Sequence, residues 1–195
     1  MLHIQRAFTE VFASGLVKSI LQTEFRPSTI YPQGRDSTAA AVQDPFRTSW
    51  EKVGGLLLES GIERLLAGKI NKAAQSFGVH DYREETERWN VMKYEEGQEF
   101  KLHTDCWDNV KGEGSDQRVL TALIVLQQAN EGGETIFPNL GLSIRPPAGT
   151  MLVWHNTSGG ACNPLLAHAG LPPQNGTKIV MTKSYRGRMT YEQRN

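Results

Sequence analysis

The sequence predicts one α+β domain, residues 1–195, with a jelly-roll core supported by N-terminal α-helices. Two observations predict this fold: apolar residues recur at helical spacing early in the chain, and short strand-like runs separated by turn residues follow. Closely spaced strands after a helical half are typical of an antiparallel sandwich or jelly roll braced by helices. We therefore divide the chain into a mainly helical support with a lid loop, residues 1–85, and a jelly-roll core, residues 86–190.

Two apolar tracts predict the helical support. Residues 8–21 place apolar side chains three and four positions apart, which predicts one amphipathic helix. Residues 50–79 repeat this spacing, but glycines interrupt it, so we expect two helices there. Between them, residues 26–48 mix Pro, Gly, Ser, Asp and Ala without a period, which predicts a long loop that could close as a lid.

Short runs rich in β-forming residues predict the strands of the core. There are seven of them: RWNVMKYEEG, EFKLHTD, RVLTALIVLQ, GETIFP, LSIRPPAG, TMLVWHNT and KIVMTKSYRG. The turn sequences EEGQ, NEGGE, PPAG and PQNG lie at the ends of runs and supply the glycine or proline that tight turns need. The spacing therefore predicts an antiparallel sheet structure.

Composition excludes several classes of partner. The 21 basic and 21 acidic residues balance, so no overall field favours nucleic acid or an anionic membrane, and we expect a neutral or small substrate. The apolar runs fall well short of the ~20 residues that cross a bilayer. The start lacks a basic-then-apolar leader pattern, and Cys106 and Cys162 make no disulfide framework, so we expect a soluble protein in the reducing cytoplasm, with Cys106 as a buried inert thiol.

The segment FKLHTDCWDN raises the question of a metal site. Side chains alternate along a strand, so His103 and Asp105 should emerge on one face, in a row with Lys101 and Trp107. Two histidines and one carboxylate form the facial triad of non-haem Fe(II) oxygenases. Taken alone, the pair also fits two exposed polar side chains.

A facial triad requires a second histidine. The candidates are His3, His80, His155 and His168. His168 lies at a late loop-to-strand junction that could fold back over a sheet. Ten residues later, Lys178 opens a hydrophobic strand, where a buried ammonium group needs an anionic partner. A dicarboxylate that chelates the metal at one end could present its other carboxylate to Lys178.

Three segments carry a family resemblance: VMKYEEGQEFKLHTD, RVLTALIVLQQANEGGETIFPNLGLSIRPPAGTMLVW and LLAHAGLPPQNGTKIVMTKSY. In order and spacing they resemble the catalytic domain of the prolyl 4-hydroxylases, which are Fe(II)/2-oxoglutarate-dependent dioxygenases. The resemblance covers residues 86–190, and FRTSWEKV with the helices after it resembles the family's N-terminal support. It implies that the jelly roll is a double-stranded β-helix.

The resemblance also implies a site and a reaction. The implied catalytic residues are the iron ligands His103, Asp105 and His168 with the 2-oxoglutarate-binding Lys178, assisted in the co-substrate pocket by Tyr94 and Thr135. The implied cofactors are Fe(II), 2-oxoglutarate and O2, with ascorbate as reductant. The implied reaction hydroxylates proline in a peptide or protein substrate and converts 2-oxoglutarate to succinate and CO2.

The sequence departs from the family on the substrate side. Six and eight positions after the lysine, the family usually has tryptophan and histidine, whereas this chain has Ser184 and Arg186. Phe100 replaces the more usual tyrosine, and with Trp107 these residues are our predicted substrate wall. A smaller serine and a cationic arginine would suit a substrate with a carboxylate or an acidic neighbour.

Two alternatives follow from these departures. The same chemistry could act on another amino-acid side chain or on a free small molecule. The fold could instead be a metal- or 2-oxoglutarate-binding module without turnover, since a fold does not fix a function. Against the second alternative, a degenerate binder would be expected to have lost at least one of His103, Asp105, His168 and Lys178. The sequence predicts no oligomeric state.

Overall fold

The computed structural model describes residues 2–30, 42–43, 46–83, 87–107 and 116–188. The helices are α1 Glu10–Ile20 and α2 Ser60–Ser76, with 3₁₀ helices at Pro138–Leu140 and Pro164–Leu166. The strands, in chain order, are β1 Leu2–Arg6, β2 Phe25–Pro27, β3 Thr29–Ile30, β4 Val42–Gln43, β5 Trp50–Lys52, β6 Tyr82–Arg83, β7 Asn90–Tyr94, β8 Phe100–His103, β9 Asp116–Gln127, β10 Glu131–Gly132, β11 Thr135–Phe137, β12 Leu142–Ile144, β13 Thr150–His155, β14 Thr157–Ser158, β15 Ala161–Cys162, β16 His168–Gly170, β17 Pro173–Asn175 and β18 Lys178–Arg188.

Two antiparallel sheets form the core. The major sheet has the strand order β1-β13-β9-β18-β7-β5-β2, with β6 paired to β18, and the minor sheet has the order β12-β11-β16-β8. Phe137 of the minor sheet packs in one buried cluster with Leu123, Val125 and Trp154 of the major sheet, so the two sheets face each other. The predicted jelly roll, a double-stranded β-helix, is confirmed, and each of the seven predicted runs contains a strand.

Side-chain alternation divides the major sheet between two cores. Leu120 and Ile124 of β9 pack in the cluster that contains the buried faces of both helices. Leu123 and Val125 of the same strand belong to the cluster between the sheets. Because neighbouring positions on a strand point to opposite faces, one strand supports the helices on one side and a cavity on the other.

The helices differ from their prediction at one point. Helix α1 is confirmed and begins after Thr9, whose hydroxyl oxygen accepts a hydrogen bond from the Phe12 N–H at 3.2 Å. The prediction of two helices within residues 50–79 is wrong, because β5 occupies Trp50–Lys52 and α2 is one continuous helix. Gly61 and Gly68 lie inside α2, where the helix tolerates them.

The N-terminal part of the chain also contributes strands that the sequence did not predict. Strand β1 pairs with β13 at one edge of the major sheet, and β2 pairs with β5 at the other edge. Residues 25–27 therefore form a strand where a loop was expected, and β3 pairs with β4. Residues 31–41 and 44–45 of the predicted lid, residues 26–48, lie outside the described residues, so its closure stays a prediction.

Replacing glycine by alanine should change the free energy of unfolding in opposite directions at two positions. Gly149 has φ of 84°, and a Cβ there would meet the Phe8 carbonyl oxygen, whereas Gly68 is helical with open space around it. Gly149→Ala should lower the free energy of unfolding by more than about 1 kcal/mol. Gly68→Ala should raise it by about 0.5–1 kcal/mol. Urea denaturation of both variants tests this, and equal shifts would contradict the described junction between β1 and β13.

Candidate active site

Three potential metal ligands converge between the sheets. His103 ends β8 and His168 begins β16, and the two residues lie directly opposite each other in the strand pair. Asp105 lies in the bend after β8, with Oδ1 3.5 Å from His103 Nε2 and Oδ2 3.8 Å from His168 Nε2. One ligand atom from each residue lies within 4.8 Å of the others, and in the described part of the chain this is the one group of three found so close together.

The convergence of His103 and Asp105 does not arise from strand alternation. The pairing of β8 with β16 contains a register shift, so that Phe100 and His103, three positions apart, stack with ring centroids 3.5 Å apart. Lys101 is exposed, so the predicted row that included it is wrong. The strand ends at His103, and the bend brings Asp105 back toward it.

Backbone carbonyls fix the orientation of both imidazoles. Nδ1 of His103 lies 2.8 Å from the Lys101 carbonyl oxygen, and Nδ1 of His168 lies 2.9 Å from that of Leu166. Because a carbonyl oxygen can only accept, each Nδ1 carries the proton and donates it. With Nδ1 held in this way, Nε2 of each ring faces Asp105, and this is the nitrogen that a neutral imidazole would offer to a metal.

Electrostatics favour the protonation states that bind a metal. Burial raises the pKa of Asp105, but the electrostatic interaction with His168 and hydrogen bonding from His103 lower it by more, so the net pKa lies well below its usual range. Burial lowers the pKa of His168, although the Asp105 carboxylate opposes this. The lowered pKa values favour an ionised Asp105 and a neutral His168, which are the forms that coordinate a cation.

One buried atom tests whether a metal fits. Asp105 Oδ2 is buried and has no hydrogen-bond partner in the protein. A buried acceptor without a partner is costly, and a cation between the three side chains would satisfy it. Two imidazole nitrogens and one carboxylate fit the facial triad of Fe(II) oxygenases, so the site suits Fe(II) with these three residues as its protein ligands.

A buried ammonium group lies in the same cavity. Lys178 begins β18 directly opposite Tyr94 of β7, so both side chains point to the face between the sheets. Lys178 Nζ donates to the Thr135 hydroxyl oxygen at 3.1 Å, and both residues are buried. Burial lowers the pKa of Lys178 to about 8, and the Glu134 carboxylate opposes the shift. A cavity of about 960 Å³ joins Lys178, Tyr94 and Thr135 to the three ligands, and its buried cation fits a carboxylate.

The predicted substrate residues separate into two pairs. Phe100 and Ser184 line the cavity, and Phe100 packs against the His103 ring. Trp107 and Arg186 are not among the described lining residues, and the Arg186 guanidinium lies 4.5 Å from the Trp107 ring centre. The polar sequence after Trp107, rich in Gly and Asp, predicts a second loop that could close over a substrate, but residues 108–115 lie outside the described residues.

Arg186 is already paired with carboxylates of the chain. Its side chain lies 3.7 Å from a Glu87 oxygen and 3.8 Å from an Asp116 oxygen. A substrate carboxylate would have to compete with both. The structure therefore weakens the argument that Arg186 selects an acidic substrate.

Thr121 is a cavity residue that the sequence analysis missed. It lies on β9 in the row that contains Leu123 and Val125, and it is buried. A polar residue on the buried face of an otherwise apolar strand was a usable signal, because such a group needs a partner.

The prediction of an unpaired thiol at Cys106 is wrong. Cys106 is buried as expected, but it forms a disulfide with Cys162, and the two Cα atoms lie 5.8 Å apart. The bond links the bend that carries Asp105 to the β14–β15 hairpin across 56 residues of sequence. Because disulfides persist mainly in oxidising compartments, the cysteines no longer argue for the cytoplasm.

No helix in the described part of the chain is long and apolar enough to cross a membrane.

Comparison with known sequences yields one family model and several relatives. The model of the 2OG-Fe(II) oxygenase superfamily matches residues 89–186. Prolyl 4-hydroxylase 13 of Arabidopsis thaliana is 30% identical over 151 residues, covering 69% of this chain and 53% of the relative. Prolyl 4-hydroxylase subunit alpha-1 of Gallus gallus is 29% identical over 154 residues, covering 74% of this chain and 30% of the relative. The chain spans about half the length, or less, of the curated relatives it matches.

Solved structures share the fold. The 2OG complex of viral collagen prolyl hydroxylase from Paramecium Bursaria Chlorella virus-1 superposes with a TM-score of 0.72 at 22% identity, covering 95% of this chain and 96% of the other. A prolyl hydroxylase of Trichoplax adhaerens, in complex with a hypoxia-inducible factor peptide fragment, superposes with a TM-score of 0.61 at 17% identity, covering 94% and 82%. At these identities the likeness establishes the fold.

Metal binding should distinguish two histidines of this chain. His103→Ala removes a proposed ligand and should weaken Co(II) binding at least about 100-fold, more than the loss usual for an outer partner. His155→Ala is the matched control, because His155 is partly buried and contacts the Thr157 hydroxyl at 3.0 Å, outside the cluster. Titration of Co(II) against a competing chelator measures both affinities. Equal affinities in the two variants would contradict the assigned ligand set.

Proposed function

Because the chain belongs to the 2OG-Fe(II) oxygenase superfamily, we propose that it is an Fe(II)- and 2-oxoglutarate-dependent dioxygenase that hydroxylates proline in a peptide or protein. One observation carries the proposal. His103, Asp105 and His168 line the same cavity as the buried Lys178–Thr135 pair, so a site for a cation and a site for a carboxylate lie together. A dicarboxylate that chelates the metal uses both.

When bound, Fe(II) would supply the oxidising chemistry, in which 2-oxoglutarate, O2 and a substrate C–H bond give succinate, CO2 and a C–OH group. The chain's own residues bind and orient. His103, Asp105 and His168 would hold the metal and leave coordination positions for other ligands. Lys178 and the Thr135 hydroxyl hold the distal carboxylate by charge-assisted hydrogen bonds, with Tyr94 beside them.

The cavity walls keep this chemistry away from bulk water. The aromatic side chains of Phe137 and Trp154 pack against the His168 ring, with ring centroids 5.3 and 4.9 Å away. Phe100 covers the His103 ring. An apolar surround protects a reactive site from side reactions with solvent.

Proline as the target is supported by the sequence relatives, which include prolyl 4-hydroxylases of plants and animals. The substrate wall of this chain is its own, because Ser184 lines the cavity where the family usually has tryptophan. We therefore propose a proline-containing peptide as the substrate class, without a sequence preference around the proline.

Turnover with a peptide pair tests the proposal. The protein is incubated with Fe(II), 2-oxoglutarate, ascorbate and O2, together with a proline-rich peptide or its alanine analogue. We expect succinate and a mass gain of one oxygen atom with the proline-rich peptide and neither product with the alanine analogue. Lys178→Met should remove co-substrate binding while Co(II) binding persists, because Lys178 is not a metal ligand. Succinate without peptide oxidation would point to another substrate, and a bound metal without succinate would point to a binding module.

Co-substrate affinity should depend on pH through Lys178. The ordinary pKa of 10.5 falls to about 8 in the folded protein because burial disfavours the ammonium group. As pH rises through 8, Lys178 loses its proton, so 2-oxoglutarate affinity should fall by up to about tenfold per pH unit. Anaerobic titrations of 2-oxoglutarate between pH 7 and 9.5 measure this.

Protein stability should change in the direction opposite to 2-oxoglutarate affinity as pH rises. Because the folded pKa lies below the unfolded value, burying the charged lysine costs stability below pH 8, and this cost is relieved as pH rises toward 10.5. For the affinity prediction, Lys178→Arg is the control, since arginine stays charged between pH 7 and 9.5 and 2-oxoglutarate affinity should then not fall. An affinity that declines equally in Lys178→Arg would contradict the assignment to Lys178.

A further inference from the structure

The three proposed metal ligands differ in how they are held. Backbone carbonyls of Lys101 and Leu166 orient the two histidine rings. Asp105 lies in a bend outside the regular strands, and its orientation depends on the groups around it. Outer partners of this kind tune metal affinity in many metalloproteins.

Two restraints hold the bend of Asp105 in place. The buried Gln117 side chain of β9 accepts from the Trp107 N–H and donates to the Trp107 carbonyl oxygen, both at 2.9 Å. The disulfide from Cys106 holds the same bend against the β14–β15 hairpin. The backbone on the C-terminal side of Asp105 is therefore fixed against β9.

Thr121 lies on the same strand, four residues after Gln117. It is directly opposite Trp154, whose ring packs against His168 at 4.9 Å, and it lines the cavity with Asp105. Burial raises the pKa of Asp105, and a hydrogen bond with the Thr121 side chain is among the interactions that more than offset this rise. Thr121 and Asp105 thus line one cavity, which makes the Thr121 hydroxyl the candidate partner of the carboxylate.

Asn156 determines the direction of that hydroxyl. Its Nδ2 donates to Thr121 Oγ1 at 2.9 Å, and both residues are buried. Since the Thr121 oxygen accepts from Asn156, its one hydrogen is available for Asp105. Asn156 is itself fixed, because its N–H donates to the Val119 carbonyl at 2.7 Å and its carbonyl accepts from Asn163 at 2.8 Å.

We propose that Thr121, oriented by Asn156, is the positioning residue of the carboxylate ligand Asp105. The inference rests on the metal site of the proposed function. The Thr121 hydroxyl donates to Asp105 and fixes the rotation of its carboxylate, which leaves the unpartnered buried oxygen of Asp105 for the metal. The outer partners of the two histidines are backbone carbonyls, whereas the outer partner of Asp105 is the Thr121 side chain, which a substitution can remove.

Co(II) affinity tests the proposal in the full chain at a temperature where every variant is folded. Thr121→Val removes the hydroxyl at nearly constant volume and should weaken Co(II) binding about 10- to 100-fold. Thr121→Ser keeps the hydroxyl, so its Co(II) affinity should stay within about threefold of the wild-type value, well short of the 10- to 100-fold loss expected for Thr121→Val. Thr150→Val is the matched control, because Thr150 is a buried threonine of the same sheet and lies outside the cavity lining.

A double-mutant cycle separates positioning from general destabilisation. If Asn156 acts through Thr121, Asn156→Ala weakens Co(II) binding in the wild-type background and has no further effect when Thr121 is valine. Wild-type affinity in Thr121→Val, or equal loss in Thr150→Val, would overturn the proposal. If Thr121→Val does not fold, Asn156→Ala decides, and unchanged affinity in that variant overturns it.

The same titration distinguishes this inference from the proposed function. A wild-type chain that binds no Co(II) would remove both. A wild-type chain that binds Co(II) and turns over 2-oxoglutarate, together with an unaffected Thr121→Val, would remove the role of Thr121 alone.

Discussion

The pairing of β9 with β18 at the centre of the major sheet is the constraint on which the rest of the structure depends. Side chains alternate along both strands, so one row lies against the helices and the other faces the cavity. Ile179 and Met181 of β18 belong to the helix-side core, whereas Val180 belongs to the core between the sheets. Lys178 lies in the same row as Val180, which is why an ammonium group enters an otherwise apolar interior.

The cavity holds charges that the protein alone satisfies incompletely. Asp105 retains a buried oxygen without a partner, and Lys178 has the Thr135 hydroxyl as its close contact at 3.1 Å. Burying a charge costs several kcal/mol unless it is paired. The fold accepts that cost at two points of one cavity, one acidic and one basic. A cation at the first and a carboxylate at the second would offset it, so binding and stability are linked through the same groups.

The site is complete only when the two sheets are packed together. The minor sheet brings His103 and His168, whereas the major sheet brings Lys178, Tyr94 and Thr121. Asp105 lies in the bend between them, and the disulfide next to it closes a loop of 56 residues, worth about 4 kcal/mol in the chain-entropy model. A covalent link and the Gln117 contacts thus restrain the segment that ordinary strand pairing does not reach.

The sequence by itself determined the strand runs, helix α1, and the residue types of the site, because alternation, helical spacing and ligand chemistry are properties of neighbouring residues. The pattern also suggested His168 and Lys178, and the family resemblance assigned their roles and added Tyr94 and Thr135. Tertiary structure decided the rest: the strands β1, β2 and β5, the single helix α2, the Cys106–Cys162 bond, and the contacts of Thr121 and Arg186. Each of these depends on which distant segments pair and in what register. The bend at Asp105 is the clearest case, because strict alternation along β8 would have placed Lys101 in the site, whereas the register shift stacks Phe100 on His103.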